Sequence, residues 1–287
     1  MVIDFHTHIY PEKISAKVRV NLFEFYKIPI QMDGIVPTLL ENGRAGGIDR
    51  FVVFSPAAVP GQVQNINDFI AAVCREHPEL IGFGTLHQDM RNPVDEIRRI
   101  AELGLKGIKL HPDIQRFNID DDCMMEMYAA LEGRLPVIFH TGDYRYSFSH
   151  PSRLARVLDN FPGLTAVAAH FGGWSLFDIA MDYLHDRFCY FDVSSSLPFL
   201  GKRRARELIR VYGAERFLFG SDYPMWNPAA CLTDFLELNL SGTERDLILY
   251  KNALAILGEE KNQSPSHTNN STVSDKTSVL SVCVNSS

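Results

Sequence analysis

The sequence lacks three features that would each indicate a particular class of protein. Its five cysteines are scattered, and no two of them form a Cys-x-x-Cys pair, which argues against a disulfide framework and a thiolate zinc site. It has no long basic run, and its formal net charge is −7, so we expect no binding to nucleic acid. It also has no uninterrupted apolar stretch of about 18 residues, so we expect no membrane-spanning helix.

The two ends of the sequence differ in character from each other. The start, MVIDFHTHIY, has no basic residues followed by an apolar stretch and therefore does not resemble a secretory signal, which favours a cytoplasmic protein. After Gly258 the composition changes, and residues 259–287 are rich in Ser, Asn and Thr. We predict one catalytic domain over residues 1–258 and a disordered polar tail over residues 259–287.

Short apolar runs alternate with longer segments of helical spacing throughout the predicted domain. The runs that we interpret as strands are 2–8, 50–55, 80–86, 107–111, 136–141, 165–170, 190–194 and 217–222. Because VVFS, VIFH and FLFG are almost continuously apolar, they are typical of parallel strands that are buried on both faces. The pattern predicts an α/β fold, a (β/α)8 TIM barrel. A doubly wound open sheet would normally have fewer strands and a glycine-rich turn where this chain has His-Thr-His.

Two segments do not follow this alternation. A capping box, formed by Ser241 with Glu244 or by Thr243 with Asp246, predicts a last helix before the tail. Residues 15–38 are long for a connection between a strand and its helix. We consider two roles for this segment: a cap over the mouth of the barrel, or a contact with a second copy of the chain in a homo-oligomer.

Two histidines stand two residues apart near the end of the first predicted strand. Because alternate residues of a strand point to the same face, His6 and His8 should converge on one side, at the end of the barrel where such enzymes react. Asp4 shares this face but lies deeper, where it could support one of the two imidazoles. For the His-x-His pair alone, an equally simple interpretation is two polar side chains solvated by water.

Four other predicted strands also end in ionisable side chains. These are Lys109 and His111 in GIKLHP, His140 in VIFHTGD, His170 in VAAHFGGW and Asp222 in FGSDYP. Their recurrence at one end of the barrel argues against coincidence. Neutral imidazoles and a carboxylate suit Zn²⁺, Mn²⁺ or Fe²⁺ and leave a position for water. We therefore predict one divalent metal ion, with Zn²⁺ favoured, and a small-molecule substrate.

These motifs, in this order, resemble the amidohydrolase superfamily over nearly all of residues 1–258. The resemblance is carried by DFHTH, GIKLHP, the strand ending in His140, AHFGGW and GSDYP. It is specific to the branch that contains aminocarboxymuconate-semialdehyde decarboxylase and related hydrolases and decarboxylases. It implies a metal-dependent enzyme in which His170 activates or orients water or substrate. It also implies four metal ligands: His6, His8, His140 and Asp222.

The implied ligand set supports two reactions. A divalent ion lowers the pKa of bound water and polarises a carbonyl oxygen. With His170 stabilising negative charge and Asp222 as the proton-transferring catalytic group, we predict hydrolysis of a small, carboxylated or cyclic organic substrate. The alternative is non-oxidative decarboxylation of a hydroxylated aromatic or muconate-type acid. A barrel that only binds metal or a partner is disfavoured, because the ligand set is complete.

Three further residues are predicted to contact the substrate. Lys109 and His111 share one strand face near the barrel mouth, and Arg145, in the loop GDYRYSFSHP, can grip a carboxylate with two hydrogen bonds. Each also has another interpretation. Lys109 could be carbamylated and bridge two metal ions, or pair with Asp222 or Asp113. His111 could fix the following turn, and Arg145 could be a solvated loop residue.

Overall fold

The computed structural model describes residues 1–259. The strands of this part of the chain are β1 (Ile3–His8), β2 (Arg50–Phe54), β3 (Leu80–Gly82), β4 (Gly84–Thr85), β5 (Ile108–Leu110), β6 (Val137–Phe139), β7 (Ala166–Ala168), β8 (Tyr190–Asp192) and β9 (Phe217–Leu218). Neighbouring strands pair in parallel, in the orders β1-β2-β3 and β4-β5-β6-β7-β8-β9.

The two groups of strands close into one barrel. Phe83 alone separates β3 from β4, and its backbone nitrogen donates to the carbonyl of Val53 at 2.9 Å, so β3 and β4 fill a single strand position. At the other junction, the nitrogen of Phe5 donates to the carbonyl of Phe219 at 2.8 Å. Parallel strands in a closed ring, with helices between them, form a TIM barrel, and the predicted fold is confirmed.

The helices connect successive strands and surround the barrel. They are α1 (Glu12–Tyr26), α2 (Val36–Gly46), α3 (Val63–Glu76), α4 (Pro93–Glu102), α5 (Pro112–Gln115), α6 (Asp122–Leu131), α7 (Pro151–Asn160), α8 (Phe177–Leu184), α9 (Leu197–Tyr212), α10 (Pro228–Leu236), α11 (Gly242–Asp246) and α12 (Asn252–Leu257). Ser241 and Glu244 form the capping box, which is the first of the two predicted pairs. A π-helical turn, Leu247–Lys251, divides the predicted last helix.

The apolar core has two layers, as a barrel requires. Side chains inside the barrel include Ile3, Phe5, Val52, Phe54, Phe83, Ile138, Val167 and Leu218. A larger layer lies between the strands and the surrounding helices. Both faces of most strands are therefore buried, and this burial is the physical reason that the strands are apolar throughout.

Seven of the eight predicted strands end one or more residues earlier than the sequence indicates. The run 165–170 ends as a strand at Ala168, and the run 217–222 ends at Leu218. Beyond these ends, His170 and Asp222 have φ angles of 59° and 63°, in the left-handed region that interrupts an extended strand. The side chains of His170 and Asp222 thus lie on turns just after the strands, whereas those of His6, His8 and Lys109 lie on the strands themselves.

The segment after β1 covers the mouth of the barrel. Residues 15–38 include most of α1, and Tyr26 at its end donates to or accepts from His111 Nε2 at 2.6 Å, so the capping role is the one seen in this structure. No helix within residues 1–259 combines the length and apolar character that crossing a membrane requires. The predicted tail lies outside the described residues except for Glu259, which bonds to Arg50 at 2.5 and 3.1 Å.

Candidate metal centre and active site

Six strand ends bring their polar side chains to one buried site. The β1 strand supplies His6 and His8, and the residues at or after β5, β6, β7, β8 and β9 supply the others. All of these side chains are buried. Since the surrounding core is apolar, this concentration of ionisable groups would be unfavourable unless the groups paired with one another or with a ligand. The additional members of the site are Lys109, His111, His140, His170, Asp192 and Asp222.

Three predicted ligands have donor atoms that face one another. Asp222 Oδ1 lies 3.4 Å from His6 Nε2 and 3.4 Å from His8 Nε2. Ligand atoms bound about 2.1 Å from a tetrahedral Zn²⁺ are separated by roughly 3.4 Å. The three side chains also form one of the groups whose ligand atoms all lie within 4.8 Å of one another. Their spacing therefore fits a divalent ion between them.

His6 is oriented by a carboxylate that the sequence analysis did not assign. Its Nδ1 lies 2.8 Å from Asp192 Oδ2, and because a carboxylate only accepts, Nδ1 carries the hydrogen. Nε2 is then left with a lone pair toward His8 and Asp222. This carboxylate–histidine arrangement is the usual support of a histidine that binds metal. Asp4 instead accepts from the backbone nitrogens of Ser221 and His6 at 2.9 and 3.2 Å.

The electrostatics of the site favour the protonation states that bind metal. Burial and the nearby Lys109 lower the pKa of His6 to about 3, and burial also lowers the pKa of His8. Burial alone would raise the pKa of Asp222, but the facing imidazoles of His6 and His8 hold it well below its usual range. Neutral imidazoles and an ionised carboxylate at neutral pH are the forms that coordinate a cation.

His140, the fourth predicted ligand, lies in a different group from these three. Its donor atoms cluster with those of His111 and Asp113, and its Nε2 is 3.6 Å from Asp113 Oδ2. This Nε2 is buried and has no hydrogen-bond partner in the described structure. The structure thus brings three of the four predicted ligands together and places His140 beside them with an unused nitrogen.

The hydrogen-bond pattern identifies which nitrogen of His140 is free. His170 Nδ1 lies 3.0 Å from the carbonyl of Ser194, which can only accept, so His170 Nδ1 is protonated. In neutral His170, Nε2 then accepts from His140 Nδ1 at 3.1 Å. The Nε2 of neutral His140 consequently carries a lone pair, so it has the chemistry of a metal ligand.

Lys109 lies fully buried next to the three facing ligands. Its Nζ is 3.2 Å from His6 Nε2 and 5.1 Å from the ring centre of Phe54. Burial lowers the pKa of Lys109 to about 8. No direct ion pair with Asp222 or Asp113 is formed among the described residues, so that alternative for Lys109 is not the one adopted here.

The other two predicted substrate contacts are engaged with the α1 segment. His111 Nδ1 accepts from the nitrogen of Ile114 at 3.4 Å, and its ring stacks on His140 with 4.0 Å between centres. Arg145 donates to Asp143 at 2.6 to 3.2 Å and also to the carbonyl of Phe25. A substrate contact by Arg145 would require these bonds to break.

Tyr26 divides the space above the three facing ligands. A cavity of about 20 Å³ lies on one side of it, bordered by His8, His111 and Asp222. A cavity of about 10 Å³ lies on the other, bordered by Trp174 and Trp226. Each is about the size of one water molecule. An organic substrate therefore needs Tyr26 to move. The two cavities would then join into one space that the substrate could enter.

Comparisons with known proteins agree with this architecture. The chain matches the family model described as Amidohydrolase over residues 3–258. A search of curated protein sequences finds no significant match. Among solved structures, 5-carboxyvanillate decarboxylase LigW from Sphingomonas paucimobilis is 18% identical, with a TM-score of 0.70 and coverage of 90% of this chain and 98% of that chain.

Two further structures extend the comparison. Dihydroxybenzoic acid decarboxylase from Polaromonas sp. JS666, with bound manganese and the inhibitor 2-nitroresorcinol, is 17% identical with a TM-score of 0.71, and 90% of this chain and 96% of that chain are covered. A TIM-barrel protein from Bordetella bronchiseptica is 21% identical with a TM-score of 0.71, and 90% and 99% are covered. At such identities the likeness establishes the fold. Because the family match spans almost the whole described chain, the chain belongs to the amidohydrolase family and is a metal-dependent enzyme of that superfamily.

Proposed function

We propose that this enzyme is a carboxy-lyase, which releases carbon dioxide from a small hydroxylated aromatic or muconate-type acid. The observation that carries the proposal is the buried Lys109, whose Nζ lies 3.2 Å from His6 Nε2 and 5.1 Å from the ring centre of Phe54. A buried cation next to a metal position suits a substrate with a carboxylate. The decarboxylases among the solved structures with the same fold support this choice over hydrolysis.

The residues of the proposed metal centre are those whose donors face one another. His6, His8 and Asp222 would hold the ion, and the free Nε2 of His140 would complete the set. A bound divalent ion would supply a positive charge that polarises a carboxylate or phenolate oxygen of the substrate. Zn²⁺ remains the ion favoured by the ligand types, and the bound manganese of one structure with this fold makes Mn²⁺ the second ion to test.

Tyr26 would meet the substrate as a hydrogen-bond donor. Because His111 Nδ1 accepts from the Ile114 nitrogen, its Nε2 carries the hydrogen in the neutral imidazole and donates to the Tyr26 oxygen at 2.6 Å. The Tyr26 hydroxyl hydrogen is therefore available for another acceptor. A carboxylate or phenolate oxygen that enters from the barrel mouth would be such an acceptor.

Aromatic side chains give the pocket a shape that suits a flat substrate. Tyr26 and Trp174 pack edge to face, with 5.7 Å between ring centres, and Trp174 packs in the same way against Phe199 at 6.0 Å. Such rings can stack on an aromatic or conjugated acid. In the proposed reaction, Lys109 would hold the carboxylate. His170 or Asp222 would first take up a proton from water and then deliver it to the carbon that loses carbon dioxide.

Hydrolysis is a second candidate because one observation favours it. The Asp222 carboxylate faces His6 and His8 and is ionised at neutral pH, so it can accept a proton from a water molecule that attacks a carbonyl carbon. His170 could stabilise the resulting negative charge. A lactone or an amide would then be the substrate.

The two reactions differ in their products. The protein, loaded with Zn²⁺ or Mn²⁺, would be incubated with hydroxylated benzoic acids, lactones and amides while carbon dioxide and acid release are recorded. Metal-dependent carbon dioxide release that His170→Asn reduces, and that the exposed control His185→Asn does not, would support the proposal. Acid release without carbon dioxide would replace it with hydrolysis, and the absence of both products in the metal-loaded protein would reject both reactions for these substrate classes.

A further inference from the structure

The two oxygens of Asp222 face different partners. Oδ1 lies 3.4 Å from His6 Nε2 and from His8 Nε2, whereas Oδ2 accepts a hydrogen bond from the hydroxyl of Ser195. A carboxylate can rotate about its last bond and exchange its two oxygens. The hydroxyl of Ser195 therefore selects the oxygen that is presented to the proposed metal position.

A second hydrogen bond fixes the direction in which Ser195 donates. Trp226 Nε1 donates to Ser195 Oγ at 2.8 Å, and an indole nitrogen cannot accept. Since Asp222 Oδ2 can only accept while it is ionised, the single hydroxyl hydrogen of Ser195 must point to it. The three groups form a relay in one direction, from the indole of Trp226 through Ser195 to Asp222.

The backbone at Ser195 is held in an unfavourable conformation. Its φ angle is 48°, in the left-handed region where a residue with a Cβ is strained, and Asp222 at the other end of the hydrogen bond has a φ of 63°. Strain of this kind costs about 1 to 3 kcal/mol and persists where the surroundings impose it. Glycine would relieve it at position 195, so the serine side chain must serve another purpose there.

Trp226 is held independently of Ser195, so it can act as a fixed donor. The preceding Met225 donates its backbone nitrogen to the Asp222 carbonyl at 2.8 Å. The following Asn227 caps α10 through its side chain, and its nitrogen donates to the side chain of Gln31 at 3.1 Å. The indole is therefore supported by anchored backbone on both sides.

We propose that Ser195 and Trp226 are positioning residues that orient Asp222 as a metal ligand. They keep Oδ1 directed to the ion and withdraw Oδ2 from coordination, so that Asp222 binds through one oxygen. The inference rests on the proposed metal centre, and it extends that centre to a loop after β8 and a loop after β9. Neither residue touches the metal position, so both act through Asp222.

The first test is metal affinity, measured by competition of Zn²⁺ between the purified protein and a chromophoric chelator. Ser195→Ala should weaken binding about 10-fold to 100-fold, as the loss of a group that orients a ligand usually does, and Trp226→Phe should weaken it less. Ser196→Ala is the matched control, because the buried Ser196 hydroxyl donates to the Ser194 carbonyl at 2.8 Å and not to Asp222. Its affinity should equal that of the wild type.

A second variant separates positioning from folding. Ser195→Gly removes the hydroxyl but also relieves the strained φ angle, so the metal-free protein should melt within a few degrees of the wild type. Its Zn²⁺ affinity should nevertheless fall as far as that of Ser195→Ala. If both variants bound Zn²⁺ as tightly as the wild type, the positioning role would be wrong. If the wild type and Asp222→Asn bound Zn²⁺ equally, the metal centre itself would be wrong.

Tryptophan fluorescence provides a readout that does not depend on activity. The sequence contains only two tryptophans, and in a Trp174→Phe background Trp226 is the only one that emits. Zn²⁺ binding changes the charge at the end of the relay, so emission from Trp226 should change on titration with Zn²⁺. The change should disappear when Ser195→Ala is added and persist when Ser196→Ala is added; a change that survives Ser195→Ala would overturn the relay.

Discussion

The ammonium nitrogen of Lys109 lies 3.2 Å from His6 Nε2, the nitrogen that would bind the proposed metal ion. An ion bound at this nitrogen and the ammonium group of Lys109 would be two neighbouring cations in a buried site, and they would repel each other. Metal binding must therefore move Lys109 or remove its proton. The position of Lys109 is compatible with a substrate carboxylate that, once bound, would lie between the ammonium group and the ion.

Replacing Lys109 should strengthen metal binding and weaken catalysis. Lys109→Met keeps the length and burial of the side chain but removes the charge, so we expect Zn²⁺ affinity to rise roughly 10-fold, which corresponds to about 1.4 kcal/mol. Chelator competition measures this, with the exposed Lys106→Met as the control. A loss of affinity, together with two bound ions in the wild type, would indicate instead that Lys109 is carbamylated and bridges two metals.

Asp192 should strengthen metal binding although it does not face the metal position. Its carboxylate accepts from His6 Nδ1 at 2.8 Å. In Asp192→Asn, the amide can present either its oxygen or its NH2 group to His6 Nδ1, so the position of the hydrogen on His6 would no longer be fixed. We expect Zn²⁺ affinity to fall about 10-fold to 100-fold. The control is the exposed Asp186→Asn, and circular dichroism would establish that both variants are folded. Unchanged affinity in folded Asp192→Asn would mean that His6 is oriented without this carboxylate.

Arg145 should act on the α1 segment more than on the substrate. Its guanidinium bonds to Asp143 and to the Phe25 carbonyl and lies 5.0 Å from the Phe25 ring centre. In Arg145→Ala, amide hydrogen exchange in the last turn of α1 should accelerate, because the anchor of that turn is lost. The sequence-based prediction of a substrate contact expects a different result, in which KM rises and the exchange rates of α1 stay the same.

The strands could be predicted from the sequence because burial on both faces makes each one a short apolar run. The conformations of the turns that follow the strands could not be predicted in this way. His170 and Asp222 have left-handed backbones, and neither hydrophobic period nor residue type requires such a conformation at a histidine. Phe83 likewise interrupts the strand between β3 and β4 without any change in apolar character.

In the site, too, the sequence predicted relations within one strand but not contacts between distant parts of the chain. The spacing of His6 and His8 predicted that they share a face, since both belong to one strand. The contact between His6 and Asp192 joins residues 186 positions apart, so it depends on which strand ends are neighbours in the closed barrel. The one available signal was the acidic residue of YFD, which lies within the predicted strand 190–194. Asp4 was predicted to support an imidazole from deeper in the barrel, but it accepts from backbone nitrogens instead.

The end of the folded domain can be tested through the pH dependence of stability. Glu259 is paired with Arg50, and the hydrogen bond with this guanidinium lowers the pKa of Glu259 below 4.5. A carboxyl whose pKa is lowered by folding stabilises the protein above its unfolded-state pKa, and this contribution is lost as the pH falls through the folded-state value. Glu259→Gln should therefore lower the free energy of unfolding at pH 7 by about 0.2 to 1 kcal/mol, the usual range for an ion pair at the protein surface.

The difference from the wild type should shrink as the pH falls below about 4.5, where the wild-type carboxylate also becomes neutral. Urea unfolding at several pH values measures it, and the exposed Glu102→Gln is a control that should show no such trend. If Glu259→Gln matched the wild type at every pH, the folded domain would end at Gly258, as the change in composition predicts. A difference that follows the expected pH trend would place Glu259 in the domain, because only a residue held by the folded structure has a pKa that folding shifts.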